Sequence, residues 1–111
     1  MANDVLVATK DFFGIPADET SFDAQLVSYI NLALFTLNDL GVGEEGYQTS
    51  LTEGTWEDFI SDEALYSPLQ MYIGFKVRLS FDPPTSSFVV TSLENQIKEL
   101  EFRLLDRSSE S

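Results

Sequence analysis

The fold is decided by residues 67–88, which read SPLQMYIGFKVRLSFDPPTSSF. Ser67, Pro68 and Gln70 predict a helix start, because serine can cap a helix, proline suits the first helical position and glutamine completes a capping box. The residues that follow recur at helical spacing and predict one buried face: Leu69, Tyr72, Ile73, Val77 and Phe81. The segment Asp82-Pro83-Pro84 must end this helix, since proline lacks an amide donor and forces the preceding residue out of helical geometry. We therefore predict two helices joined by a sharp break.

The second of these helices is predicted to follow Thr85 or Ser86 as the capping residue and to run to about Asp106. Its apolar residues are spaced alternately three and four apart and form a short heptad seam. Two further apolar residues, Phe102 and Leu105, lie outside the seam. We predict that this helix provides the surface for a neighbouring subunit or another partner, through Val90, Leu93, Ile97, Leu100, Phe102, Leu104 and Leu105.

The N-terminal part of the chain predicts two more helices. The first covers about Asn3 to Phe13 and is stopped by Gly14 and Pro16. The second begins after Thr20 and Ser21 as capping candidates and ends at Gly41, and its apolar residues at helical spacing are Phe22, Leu26, Tyr29, Ile30, Ala33, Leu37 and Leu40. Additional apolar residues make it hydrophobic almost all round, so we expect it to be central or to lie at an interface.

A long loop is predicted between residues 41 and 54, with room for a short hairpin at Tyr47 to Leu51. Thr55 then caps a short helix that carries Trp56 and Phe59. The sequence thus predicts a mainly α fold, a small bundle of about four helices, with residues 1–107 as one domain and 108–111 as a frayed tail. The predicted core consists of Phe22, Leu26, Ile30, Leu37, Trp56, Phe59, Tyr72, Ile73, Val77 and Phe81.

The composition excludes several classes of site. The 111 residues contain no Cys and no His, which removes disulfides, thiolate nucleophiles, imidazole bases and the commonest transition-metal ligands. The formal charge is −13, and residues 1–75 hold 13 acids against Lys10 alone, whereas residues 76–111 hold six acids and five bases. Such a surface repels duplex DNA. The N-terminus lacks the positive flank of a signal peptide and no apolar run is long enough to cross a bilayer, so we expect no membrane association.

Catalytic patterns are weak, and we predict no catalytic, cofactor-binding or metal-binding residue. The glycines of Gly41-x-Gly43-x-x-Gly46 match a dinucleotide fingerprint by letter, but they follow a helix instead of a strand. Asp58 with Asp62, or Glu57 with Glu63, could pair as acid and base or hold a divalent cation. A solvated acidic cluster in the first helical turn explains these carboxylates more simply.

Two segments of the chain resemble small head-tail connector proteins, also called adaptor or head-completion proteins, of tailed bacteriophages. The first is Tyr72-Ile73-x-x-Lys76-Val77-Arg78-Leu79-x-Phe81-Asp82-Pro83-Pro84-Thr85-Ser86-Ser87-Phe88, and the second is Ile97-Lys98-Glu99-Leu100-Glu101-x-Arg103-Leu104. Trp56-x-Asp58-Phe59 and the apolar helix ending at Gly41 are similar to the same family, so the resemblance covers residues 22–104. Gly74 departs from it, because a larger apolar residue is expected there.

The resemblance implies a non-enzymatic virion protein without a cofactor. Its copies are expected to form a ring, of about twelve subunits in that family, beneath the portal protein, and to meet a downstream tail-completion or stopper protein. DNA is expected to pass through the lumen without sequence-specific binding. Two alternatives stay open. The negative charge is compatible with an acidic DNA-mimic inhibitor of a DNA-binding protein. The carboxylates are compatible with a metal-dependent hydrolase, which we rank last.

Overall fold

A computed structural model describes residues 3–108, and this part of the chain is mainly helical, as predicted. It contains five α-helices and one turn of 3₁₀ helix at Glu63–Leu65, and no strand is present among these residues. The α-helices are α1 (Asp4–Phe13), α2 (Asp23–Leu40), α3 (Trp56–Phe59), α4 (Tyr66–Phe81) and α5 (Ser87–Ser108). None of the helices in the described range is long and apolar enough to cross a membrane.

Helix α4 is the centre of the structure. It packs against α1, α2 and α5, whereas α2 and α5 barely touch each other. Its predicted buried face is formed by Leu69, Tyr72, Ile73 and Val77, which are all inaccessible to solvent or nearly so. The molecule is flattened, with extents of 39 × 38 × 21 Å. Helices α2 and α5 flank α4, and each of them has a second face that is turned away from α4.

Several helix ends follow the predicted signals. The Asn3 side chain accepts a hydrogen bond from the Leu6 amide at 2.8 Å and begins α1, which ends at Gly14. Thr55 caps α3 by accepting from the Asp58 amide, and the Val89 amide donates to the Ser86 hydroxyl at the start of α5. These caps satisfy amide groups that have no acceptor within their own helix.

Other helix boundaries differ from the prediction. Helix α4 begins at Tyr66, one turn after Asp62 caps the 3₁₀ turn, so Ser67 lies inside the helix and is not its N-cap. Helix α2 begins at Asp23 without a side-chain cap, and neither Thr20 nor Ser21 serves as one. Helix α5 continues to Ser108, the first residue of the predicted tail; residues 109–111 of that tail lie outside the described range. These differences amount to one or two residues, which is the range over which helix ends fray.

The loop after α2 contains no hairpin, contrary to one suggestion of the sequence, because two asparagines of α2 hold it in an irregular path. Asn38 donates to the carbonyls of Val42 and Glu44 at 3.0 and 3.1 Å and accepts from the Gly46 amide. Asn31, two turns earlier, donates to the Thr49 carbonyl and accepts from the Thr49 amide. The side chains supply the hydrogen bonds that a strand partner would otherwise provide.

The same loop is tied to the start of α1 by a buried polar cluster. The Thr49 hydroxyl lies 3.1 Å from the Asn3 side-chain oxygen, and the Asn3 amide group donates to the carbonyls of Ser50 and Glu53. The Val5 amide donates to the Gly54 carbonyl at 3.2 Å. Both Asn3 and Thr49 are almost fully buried, and their mutual bonding is what makes that burial tolerable.

The predicted core residues are buried with two exceptions at one end of α4. Phe22 is 42% exposed, because it precedes α2 and its ring meets Phe81 edge-on at 5.3 Å instead of joining the buried stripe of α2. Phe81 is itself only partly buried and packs on the edge of the core. The remaining eight lie inside: Leu26, Ile30, Leu37, Trp56, Phe59, Tyr72, Ile73 and Val77.

Gly74 is accounted for by the packing of α1 on α4. A Cβ atom built on Gly74 would lie 2.6 Å from the Phe12 ring, which is closer than carbon atoms approach in proteins. The Phe12 ring in turn meets Phe75 and Phe13 edge-on, at 5.9 and 5.2 Å between centroids. Glycine at position 74 thus leaves the space that an aromatic side chain of α1 occupies.

Candidate assembly surface

Helix α5 has one face in the core and a second apolar face in solvent. Ile97 and Leu104 are buried against the rest of the chain. Phe88 and Phe102 lie on the opposite side and are 81% and 71% exposed. Fourteen residues separate these two phenylalanines, which places them on nearly the same helix face and about 21 Å apart along the axis. A phenylalanine therefore projects outward near each end of the last helix.

This arrangement corrects the predicted interface set. Ile97 and Leu104 belong to the core of their own chain and cannot offer their side chains to a neighbour without unfolding. Leu100 packs against the same core, and Val90 and Leu93 are half-buried. Phe102 and Leu105 are exposed, as an interface role requires. The seam predicted as an intersubunit contact is largely the contact between α5 and α4.

Phe88 was missed as a surface residue by the sequence reasoning, although it is the most exposed large apolar side chain in the described residues. The signal was available, because its position two heptads before Phe102 places both on one face. The heptad seam drew attention to the buried side of the helix instead.

Helix α2 also exposes apolar side chains opposite its buried stripe. Leu26, Ile30 and Leu37 face the core, whereas Leu32 and Phe35 are 58% and 66% exposed. The sequence predicted that this helix would be central or interfacial, and one face of it is central. Its other face, with Leu32 and Phe35 one turn apart, meets no other part of the described chain that covers it.

A groove lies beside the exposed face of α5. It runs between the C-terminal half of α5 and the beginning of α4 and has a volume of about 630 Å³. Leu65, Pro68 and Phe102 provide much of its apolar wall, and Glu99 and Arg103 lie at its rim. Arg103 and Glu99 form an exposed ion pair at 2.8 Å, one helical turn apart. Such an exposed pair contributes little stability, so its partners can be exchanged at small cost.

The exposed positive charges are concentrated on two helices, α4 and α5. Lys10, the only base in residues 1–75, is buried, forms an ion pair with Asp23 at 3.0 Å and donates to the Ala17 carbonyl at 3.1 Å. The other five bases lie on α4 and α5: Lys76, Arg78, Lys98, Arg103 and Arg107. The exposed charged side chains of α1, α2 and the following loop are therefore all acidic.

One polar contact joins α4 to α5 inside the structure. The Tyr72 hydroxyl donates to a Glu101 carboxylate oxygen at 2.8 Å. Burial of the ring raises the pKa of Tyr72 above its ordinary value of 10.0, and the bond to Glu101 and its negative charge raise this pKa further. The phenol consequently stays protonated and remains a hydrogen-bond donor throughout the physiological range.

The carboxylates considered for catalysis do not converge on a metal site. Glu57, Asp58 and Asp62 border a shallow cleft next to Gly43, and they are solvent-exposed. Within residues 3–108 no three acidic side chains are grouped closely enough to hold a metal ion. The Gly41-x-Gly43-x-x-Gly46 motif follows α2, and the Phe59 ring occupies the space where a side chain at position 43 would lie.

Comparison with known proteins identifies a family. The family model described as phage connector protein matches residues 5–111. No curated protein and no solved structure shows a significant match to this chain. The family match covers all but the first four residues and agrees with a mainly helical structure that carries exposed apolar faces on α2 and α5. This protein therefore belongs to the phage connector protein family.

Proposed function

We propose that the protein is a non-enzymatic structural component of the virion that forms a ring beneath the portal, joins head to tail and extends the DNA channel. The ring is of about twelve copies, as the family resemblance implies, and its far side meets a tail-completion or stopper protein. The observation that carries this proposal is the pair of outward apolar faces, Phe88 with Phe102 on α5 and Leu32 with Phe35 on α2.

A ring would bury these apolar faces, whereas a solitary monomer leaves them in water. Large apolar side chains in water raise the free energy of the isolated subunit, and burial of one phenylalanine against a neighbour recovers about 1.5–3 kcal/mol. A closed ring requires two complementary surfaces on every subunit, and α2 and α5 provide two separate ones. The chain thus has the number of apolar surfaces that ring closure demands.

The acidic surface suits a channel through which DNA slides. A wall that bound phosphates would hold the genome through released counterions, whereas a negative wall keeps the duplex mobile. The surface formed by α1 and the loop after α2, where the only base, Lys10, is buried, is the part best suited to line such a lumen. If a cryo-EM map of the ring showed Lys76, Arg78 and Arg103 as the main lining of the lumen, this assignment would be wrong.

Native mass spectrometry and negative-stain imaging test the assembly. We expect the purified protein, mixed with its phage's portal protein, to form ring-shaped complexes that contain many copies of the chain per portal. A portal that retains no copies, at concentrations well above those in an infected cell, would contradict the proposal. A DNA-competition assay with a DNA-binding protein is the matched control, and the proposal predicts no displacement of DNA.

A further inference from the structure

We propose that the ring is built head to tail, with Leu32 and Phe35 of one copy docking into the α5 groove beside Phe102 of the next copy. This inference rests on the proposed function and names the two surfaces that meet. The occupant of the groove is a second copy of this chain, and three properties of the described residues favour it.

The first property is shape. The groove of about 630 Å³ is bounded by Leu65, Pro68 and Phe102. Its volume lies in the range of about 300–1,000 Å³ that accommodates a drug-sized molecule, so it has room for a leucine and a phenylalanine side chain. Leu32 and Phe35 project from α2 as neighbouring side chains with most of their surface in water. A protruding pair on one helix thus matches a recess beside another.

The second property is direction. The buried stripes of α2 and α5 both face α4, so their exposed faces both point away from it. Contact between two different surfaces of identical subunits repeats from copy to copy and closes into a ring when the rotation allows. Contact of α5 with α5 would pair like surfaces and stop at a dimer.

The third property is charge. Asp39 lies one helical turn beyond Phe35 and is exposed, whereas Arg103 lies at the rim of the groove. Contact of α2 with α2 would bring together two surfaces that lack an exposed base, because Lys10 is buried. Contact of α2 with the groove instead places an acidic surface against a lining in which Arg103 and Arg107 offset Glu99 and Asp106. Unlike surfaces therefore repel less than like surfaces do.

Cysteine crosslinking tests the pairing directly, because the natural chain has no cysteine. Cysteines are placed beside the proposed contact so that its apolar side chains stay in place: Ser28→Cys lies one turn before Leu32, and Glu99→Cys lies one turn before Phe102 in the lining of the groove. They are introduced singly and together, and the rings formed with the portal are treated with a short bis-maleimide reagent. The double variant is expected to give a ladder of covalent oligomers on a denaturing gel, and each single variant to stay largely monomeric. Both positions are exposed, so the fold is expected to tolerate the changes, which circular dichroism checks.

In a matched control pair the cysteine on α2 is moved to Met71, which is also exposed but lies on α4. Met71→Cys with Glu99→Cys is expected to give no ladder. In a second measurement Asp39→Arg and Arg103→Asp are each expected to weaken ring formation at least tenfold, and the double exchange to restore most of it.

The outcomes separate this inference from the proposed function. Rings seen by electron microscopy without a ladder, or a dimer band from Glu99→Cys alone, would overturn the head-to-tail pairing and leave the connector ring intact. Absence of both rings and ladder in a correctly folded protein would overturn the proposed function together with the pairing. A ladder from the pair of cysteines at positions 28 and 99, absent from the Met71 control, would establish the contact.

Discussion

Single residues decide how closely the helices approach, and Gly74 is the clearest example. Replacement of Gly74 by alanine places a methyl group 2.6 Å from the Phe12 ring. Overpacking of this kind costs about 1–3 kcal/mol, and alanine recovers at most about 1 kcal/mol through its helix propensity. We expect Gly74→Ala to lower the free energy of unfolding in urea by about 1 kcal/mol. Ser80→Ala, at an exposed position of the same helix, is the control and is expected to be neutral or stabilising.

The Tyr72 hydroxyl makes stability depend on alkaline pH. Because the pKa of Tyr72 is raised in the folded state, the unfolded chain loses this proton first, near pH 10, and stability falls as the pH rises above that value. We expect the urea concentration at the unfolding midpoint to drop more steeply with pH in the natural protein than in Tyr72→Phe. The comparison is made between about pH 9.5 and 11, because the ordinary pKa of tyrosine is about 10. Equal slopes in the two proteins would show that other tyrosines cause the loss.

At the scale of elements, α2 organises the loop that follows it. Asn38 holds that loop through three hydrogen bonds to residues 42–46. We expect Asn38→Ala to increase amide hydrogen exchange in residues 42–47 at least tenfold, because a loop that loses its side-chain anchors opens at lower free energy. Exchange in α4 is expected to change much less. Thr36→Ala, on the exposed side of the same helix, serves as the control.

The helices, caps and loop contacts differ in how well the sequence alone predicted them. The helices and the Thr55 and Ser86 caps were predictable, since apolar spacing and capping residues act over a few neighbouring positions. The Asn38 and Asn31 anchors were not, because their partners lie in an irregular loop without periodicity. Gly74 was noticed as a departure, but its reason is a ring on α1, 62 residues earlier, which spacing alone cannot reveal. The apolar seam of α5 was predicted correctly as a helix face, but it was assigned to an interface between subunits. An apolar stripe alone cannot distinguish burial within its own chain from burial against another molecule.

For the whole molecule, stability and assembly should be separable. Phe88 and Phe102 contribute little to the core, so their replacement by serine is expected to change the unfolding free energy by no more than about 0.5 kcal/mol each. The same changes are expected to reduce ring formation on the portal strongly, as measured by native mass spectrometry. Leu104→Ala is instead expected to lower the free energy of unfolding of the monomer by about 2–5 kcal/mol, because that side chain is fully buried. Loss of stability in Phe102→Ser would refute the separation.

The enclosed Lys10 has a consequence for the timing of assembly. Lys10, the only base in residues 1–75, is buried, so the surfaces of free copies in solution are mostly negative. The repulsion between two such copies reaches roughly 10 Å at 0.1 M salt. Encounters between stray copies are thereby discouraged, while a cationic or neutral platform that gathers them overcomes the barrier by raising their local concentration. On the proposed function, the net charge of −13, against which the enclosed Lys10 offers no exposed positive charge, is expected to restrain polymerisation until the portal gathers the copies.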